Sequence, residues 1–374
     1  MTIGIVCYPT FGGSGVVATE LGKALAQKGH QIHFISYRQP VRLDTFSENI
    51  HYHEVSVSDY PLFDYQPYEL VLSSKLVDVV KHEKLDLLHV HYAIPHASAA
   101  YMAQRILESE GIRIPFITTL HGTDITLVGK DSSFEPVITF AINQSDAVTA
   151  VSESLKQDTL NHFKVQNEIE VIPNFVCVEG CEEPRIDLEL KHHMAPNGER
   201  ILAHVSNFRK VKRINDVIEV FDRVRKEIPA KLMLVGDGPE RHGAEELCRE
   251  KGIIDDLYML GKVQDTDRVI GIADLFLLPS EFESFGLAAL EAMSAGVPVI
   301  SSNTGGIPEV NLQGYSGFLS GVGEVDEMAE NAMKILRSDE DLKQFKAQAF
   351  EQAKKFDIVK ILPRYESLYK RLMS

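Results

Sequence analysis

Short aliphatic runs alternate with amphipathic segments from one end of this chain to the other, and that alternation limits the fold more than any single motif does. Strands joined by helices lie parallel in the sheet and must be covered by those helices. In the first half the runs fall at residues 3–7, 31–36, 85–91, 116–120, 147–151 and 169–172; in the second they fall at 201–205, 231–235, 257–260, 275–278 and 297–301. Each half therefore reads as one doubly wound, Rossmann-like α/β domain. Between them, residues 175–200 carry Pro184, Pro196, Asn197, Gly198 and clustered acids, the composition of a surface linker. The expected domains are 1–174 and 175–356, with a hinge at Asn174 and Phe175. Residues 357–374 place Ile358, Ile361, Leu362, Tyr365, Leu368, Tyr369 and Leu372 at helical spacing, so the chain closes with an amphipathic helix that can pack back on the first domain. Ligands of open α/β sheets bind beyond the carboxyl ends of the strands, so two such domains facing each other form a central cleft.

Length and charge narrow the function. A chain of 374 residues has enough material for two cores, and its −16 net charge comes without any basic block, which argues against binding a nucleic-acid backbone or an anionic membrane surface. No apolar run approaches the ~20 residues of a membrane span, and Met1 leads straight into a strand without a signal-peptide pattern, so a cytoplasmic protein is expected. Cys7, Cys177, Cys181 and Cys248 are scattered, and Cys177-x3-Cys181 lacks the second pair of a zinc finger. An anionic ligand must then be held by local dipoles and a few placed cations.

The placing of those groups is legible. Residues 275–278 form a strand, Glu283 follows on a loop, and Glu291 lies two turns into a helix expected over 285–295 and ended by Gly296 and Pro298. The backbone N–H groups of Phe285, Gly286 and Leu287 open that helix, and such groups receive phosphates well. After the strand ending at Val205 comes Ser206-Asn207-Phe208-Arg209-Lys210-Val211-Lys212-Arg213, whose cations suit a departing nucleoside diphosphate, although a solvated basic turn has the same composition. Gly236-Asp237-Gly238-Pro239 and Gly261-Lys262-Val263 follow neighbouring strands and are read as floor for a base or ribose or as plain turns, whereas Thr304-Gly305-Gly306 after the last strand is expected to let the backbone approach a bound ligand.

In the first half, Pro9-Thr10-Phe11-Gly12-Gly13-Ser14-Gly15 feeds a helix expected over 16–28, and Gly13 and Gly15 can admit a phosphate or carboxylate. Gly13-x-Gly15-x-x-Ala18 also fits a dinucleotide fingerprint, and Arg38 after the second strand keeps an NADP-dependent dehydrogenase open. His89, His91, Tyr92 and His96 end one strand, and Thr118-Thr119-Leu120-His121-Gly122-Thr123-Asp124 ends another. Alternation puts His89 and His91 on one face, but no carboxylate is spaced to complete a zinc site, and hydrogen-bonded histidines are the simpler reading. Asp265-x-Asp267 reads as a surface turn.

Taken together, the glycine loop, His121, the Arg209/Lys212 cluster and Glu283 with Glu291 as E-x7-E resemble the retaining GT-B glycosyltransferases of family 4, over nearly the whole chain. Residues 118–126, 205–209 and 282–287 are like those of the members that use UDP-GlcNAc as donor and L-malate as acceptor at the opening of bacillithiol synthesis. By position, the resemblance implies that Glu283 meets the donor sugar's hydroxyls, Glu291 the uridine ribose, and Arg209 with Lys212 the diphosphate, completed by the amides of Phe285, Gly286 and Leu287. It implies further donor contacts at Gly13, Ser14, Gly15, Asn207 and Val263, sets His121 beside the reacting carbon, and draws the acceptor to Ser14, Tyr92, Thr119, His121 and Asn174. Many relatives have Arg where this chain has Asn207, so Arg209 is expected to supply that charge. Retention without a carboxylate nucleophile implies front-face attack, with no metal and no cofactor. The residues alone leave an inositol phosphate or another small acceptor open, and also a sensor that binds the sugar nucleotide without turnover; the resemblance is compatible with a homodimer.

Overall fold

The computed structural model describes residues 1–10, 12–43, 47–57, 67–127, 131, 133–178, 184, 186–263 and 265–374. Its strands are β1 (Thr2–Val6), β2 (Gln31–Ser36), β3 (Ile50–Glu54), β4 (Leu87–His91), β5 (Phe116–Leu120), β6 (Ala147–Ala150), β7 (Ile169–Val171), β8 (Arg200–Val205), β9 (Ala230–Val235), β10 (Leu257–Gly261), β11 (Leu275–Leu278), β12 (Val299–Ser302) and β13 (Gly317–Ser320). They form one parallel sheet of order β3-β2-β1-β4-β5-β6-β7 and a second of order β10-β9-β8-β11-β12-β13. Both sheets are doubly wound: order runs outward in both directions from β1/β4 and from β8/β11, and at these switch points the strand ends leave a crevice for ligands.

The aliphatic runs become the buried centre of each sheet. Ile3, Ile5, Leu87, Leu88, Phe116 and Ile117 are fully enclosed in the first, and Leu202, Leu232, Leu234 and Leu275 in the second. Two strands escape the aliphatic signal, β3 (Ile50-His51-Tyr52-His53-Glu54) and β13 (Gly317-Phe318-Leu319-Ser320), and both are edge strands. An edge strand is paired on one side only, so packing demands less apolar side chain from it.

Contacts divide the chain into Met1–Asn174 with Ile358–Ser374, and Phe175–Asp357. The closing helix, Ile358–Met373, thus belongs with the first unit, where it buries Tyr365 and Tyr369 and brings the Tyr369 hydroxyl within 2.8 Å of His89 Nδ1. The described residues between 175 and 200 hold more structure than a plain linker. They contain the helix Leu188–Met194, whose N-cap Asp187 accepts from Leu190 N at 2.9 Å and whose last residue is buried. Cys181 lies outside the described residues; Cys7, Cys177 and Cys248 form no disulfide among those described. Asp265, expected in a turn, instead caps the short helix Thr266–Ile270 by accepting from Arg268 N. Among the described residues no helix is long and apolar enough to cross a membrane.

Candidate active site

In the C-terminal unit three strand ends converge. Beyond β8 the chain turns at Phe208, which holds φ +36° and is 1% exposed, so a buried ring anchors the loop while Asn207 and Arg209 stand outside it. Positive φ on a bulky residue is costly and persists only where packing fixes it. Glu281 N donates to Val211 O at 2.8 Å, joining this loop to the one after β11, and Ser302 Oγ at the end of β12 donates to Ser280 O at 2.5 Å. Within that frame Lys212 Nζ lies 2.5 Å from Glu283 Oε1, and Ser280 Oγ donates to the same oxygen at 2.8 Å. Lys212 and Glu283 are both partly buried, whereas the exposed Arg209 makes no ion pair among the described residues. The cluster and the first carboxylate of the E-x7-E motif are therefore one structure.

The glycines of this unit serve the protein's own loops. A Cβ on Gly305 would fall 1.9 Å from Glu283 O, and one on Gly306 would fall 2.4 Å from Ser284 O; Gly306 N donates to Glu283 O at 2.9 Å. So Thr304-Gly305-Gly306 allows the 283–285 loop, not a ligand, to come close. Likewise Gly236 and Gly238 make room for the carbonyls of Ser206 and Asn207. The helix expected from residue 285 spans Leu287–Ser294, because Gly286 at φ +90° is its N-cap; no side chain caps it and no acid lies in its first turn. Its leading amides are accordingly available to an anion. Glu291 is half-buried in the second turn, and Val263 is half-buried just after β10.

Sequence reasoning missed Ser280 and His204. The signal for His204 was present as a lone polar residue in an aliphatic strand. It is buried, with Nδ1 2.8 Å from Leu277 O and Nε2 2.8 Å from Ser206 Oγ, and burial takes its pKa down to about 4. It is a neutral brace for the basic loop.

In the N-terminal unit the ends of β1, β4 and β5 carry a different chemistry. Tyr92, at φ +87°, donates its hydroxyl to Ser14 Oγ at 2.7 Å and its backbone N–H to Thr119 O at 2.9 Å. His89, His91 and His121 stack in a column, with centroids 4.6 and 5.0 Å apart, and His91 Nδ1 is 2.8 Å from His121 Nε2. Ser14, Tyr92 and His121 are half-buried and reachable. Thr119 is not: it is fully enclosed, and its hydroxyl meets His89 Nε2 and Thr149 Oγ1, each at 2.7 Å. Its side chain supports the strand ends from beneath and cannot touch an acceptor. Asn174 is also buried, and its Oδ1 has no hydrogen-bond partner among the described residues.

The helix after β1 begins at Gly13, earlier than the expected residue 16, again without a side-chain cap or an acid in its first turn. Gly15 is fixed by crowding, since a Cβ there would lie 2.6 Å from both Tyr8 O and Thr10 O. That requirement accounts for Gly15 without a dinucleotide. Phe11 lies outside the described residues.

Burial sets the electrostatics of this site. It pushes His89 and His121 down to about 3 and His96 to about 4, and it holds His91 well below the ordinary imidazole value, with the neighbouring histidines adding to the effect. These rings are neutral near pH 7. Asp124, not singled out from sequence as a site residue, accepts from Ala93 N at 2.9 Å and Gly122 N at 3.1 Å; burial raises it to about 6. One strand-end cluster is thus built from neutral hydrogen-bonding groups over one buried carboxyl, Asp124, and the other from cations, a carboxylate and helix amides.

Comparison with known proteins bears on both halves. Residues 186–352 match the Glycosyl transferases group 1 family and residues 11–179 match Glycosyltransferase Family 4. The chain is 45% identical to N-acetyl-alpha-D-glucosaminyl L-malate synthase of Bacillus anthracis, over 99% of this chain and 96% of that protein. Among solved structures, Anabaena HepE in complex with UDP and glucose is similar with a TM-score of 0.81 at 19% identity, covering 98% of this chain and 99% of HepE. Sucrose-phosphate synthase from Thermosynechococcus elongatus is similar with a TM-score of 0.80 at 19% identity, covering 99% and 98%.

Proposed function

The chain belongs to the family 4 glycosyltransferases of GT-B fold, and on that premise we propose that it moves N-acetylglucosamine from UDP-GlcNAc to the hydroxyl of L-malate, giving GlcNAc-α-malate and UDP, at the first step of bacillithiol synthesis. The observation that carries the substrate pair is the 45% identity, along essentially the full length, to a relative named for that product. An oxidoreductase reading of the glycine loop leaves the Lys212–Glu283 pair without a use.

The chemistry of the two strand-end clusters supports this reading. Lys212, Arg209 and the amides at Phe285, Gly286 and Leu287 suit the donor diphosphate, Glu283 the sugar hydroxyls and Glu291 the ribose, with Asn207 and Val263 at the rim. On the acceptor side, Ser14, Tyr92 and His121 offer neutral polar atoms, and the uncapped helix start at Gly13 and Ser14 offers N–H groups to a carboxylate. Gly15 keeps that helix start close to the β1 loop. In the proposed step the malate hydroxyl oxygen bonds to the anomeric carbon on the face from which the diphosphate leaves. The bond from that carbon to the β-phosphate oxygen breaks, the hydroxyl proton passes to that oxygen, and Lys212, Arg209 and the helix dipole stabilise the departing charge. Configuration is retained, and the step calls for no metal.

The test is UDP release from UDP-GlcNAc by the purified protein in EDTA, with and without L-malate, with the product's anomeric configuration read by NMR. Malate-dependent release of UDP with an α-glycoside is expected. Turnover only with a different acceptor, a β-product, or activity abolished by EDTA and restored by a divalent ion overturns the corresponding part.

A further inference from the structure

Three side chains away from the strand-end clusters carry a separate inference. His33 in the middle of β2, His53 on the edge strand β3 and Glu83, the last residue of the helix Tyr68–Glu83, each bring one ligand atom to within 4.8 Å of the others. We propose that His33, His53 and Glu83 bind one divalent first-row transition ion, Zn²⁺ foremost, with water completing its coordination.

The backbone register creates the convergence. In the parallel pair β2/β3, His33 lies opposite His51 and Ile35 opposite His53, so His53 is one pleat repeat along the same face from His51. The rings of His33 and His53 are nearly parallel at 16°, and His33 Nδ1 is 2.9 Å from His53 Nε2. Zn–N bonds of ~2.0–2.1 Å in a tetrahedral site separate ligand atoms by about 3.3 Å, so an ion fits between them after an opening of a few tenths of an ångström, with the donor ring's proton moving to its other nitrogen so that both rings ligate as neutral imidazoles.

Electrostatics favour the exchange. Burial first, then the neighbouring His51 and His53, takes His33 down to about 4, and burial lowers His53 as well; neutral imidazole is the form that ligates. Glu83 is exposed, which gives an ion a way in, and its charge acts on both rings. Lys75 and Asp78 also face His53, but they pair with each other at 3.4 Å, so Glu83 leaves the local balance at one negative charge. His51 is a bystander: it stacks on His33 at 4.6 Å, and its Nε2 is 3.2 Å from Gln31 Oε1. Two imidazoles and one carboxylate favour Zn²⁺, Co²⁺ or Ni²⁺ over the hard cations Mg²⁺ and Ca²⁺. Bound there, the ion fastens an edge strand, paired on one side only, to the end of a helix; its role is structural.

The test uses tag-free full-length protein stripped with EDTA, dialysed, and titrated with Co²⁺ and then Zn²⁺. Expected are saturation at one ion per chain, visible absorption bands of four-coordinate Co²⁺ that Zn²⁺ abolishes, and a higher Tm with Zn²⁺. His53→Gln and Glu83→Gln, each checked for folding by circular dichroism, should weaken Zn²⁺ binding about tenfold or more, since loss of even an outer partner costs ~10–100-fold. His33 is buried and its substitution can unfold the protein, so the two more accessible ligands carry the test. Absence of saturable binding, or binding that survives both substitutions because it resides at a pair such as His192 and His193, overturns the proposal.

Discussion

The strand ends of the two units solve opposite problems with opposite materials. In the C-terminal unit a lysine, a glutamate and an uncapped helix start lie around loops locked to one another by backbone bonds, with Arg209 exposed beside them. In the N-terminal unit the corresponding positions hold a tyrosine, a serine and a column of neutral histidines, braced from below by Thr119 and the closing helix. On the proposed function, the difference separates where charge is handled. A diphosphate leaving group needs fixed positive potential, whereas an attacking hydroxyl needs orientation in a site that does not compete for its proton.

Acidification should expose this contrast most strongly. The folded pKa values of His89, His96 and His121 lie at about 3 to 4, and that of His91 is also depressed, below the ~6.5 of an unfolded imidazole. The stabilisation from keeping them neutral is complete above pH ~6.5 and is lost progressively as pH falls toward 3, each ring giving up ~1.4 kcal/mol for every tenfold rise in proton concentration across that window. Asp124 runs the other way: raised to about 6, it favours the folded state at low pH and loses that contribution as pH rises through 6. Four histidines outweigh one carboxyl. Hydrogen exchange is therefore expected to show β4 and β5 losing protection between pH 6.5 and 4 before β8 and β11, which contain one such ring, His204. Simultaneous loss in both sheets would remove the distinction.

Lys212→Ala comes next. It strips Glu283 of its cation and the leaving group of a positive charge, so kcat should fall by ~10²-fold or more, with circular dichroism unchanged. Turnover close to wild type would take Lys212 out of the mechanism. Tyr92→Phe removes only a neutral hydrogen bond to Ser14, worth ~1 kcal/mol, and should raise the KM for malate by about fivefold while leaving the KM for UDP-GlcNAc alone. The smallest effect is that of Tyr369→Phe, which deletes the His89 bond from the closing helix; a Tm lowered by ~2–4 °C with unchanged KM values is expected from a loss of about 1 kcal/mol.

The features legible in the sequence were those with a strong local signature. Aliphatic strands, glycine loops and the E-x7-E spacing all sit in contiguous stretches, and they located both strand-end clusters. Hidden features depended on contacts between distant segments. Thr119 is expected at the acceptor through the family resemblance, but only the partners from β4 and β6 reveal that its hydroxyl is taken up inside. The glycines at 305 and 306 read as ligand floor because sequence cannot show that Glu283 and Ser284 are what they must admit. β3 and β13 were invisible for a related reason: an edge position, not an apolar pattern, makes them strands.

Calorimetric titration of UDP into the wild type, Lys212→Ala and Tyr92→Phe tests the division of labour most directly. If the C-terminal cluster alone handles the charged donor, Tyr92→Phe binds UDP as the wild type does and Lys212→Ala binds it ~10–100-fold more weakly, the loss of one charge-assisted hydrogen bond. Undiminished UDP binding by Lys212→Ala, or weakened binding by Tyr92→Phe, contradicts it.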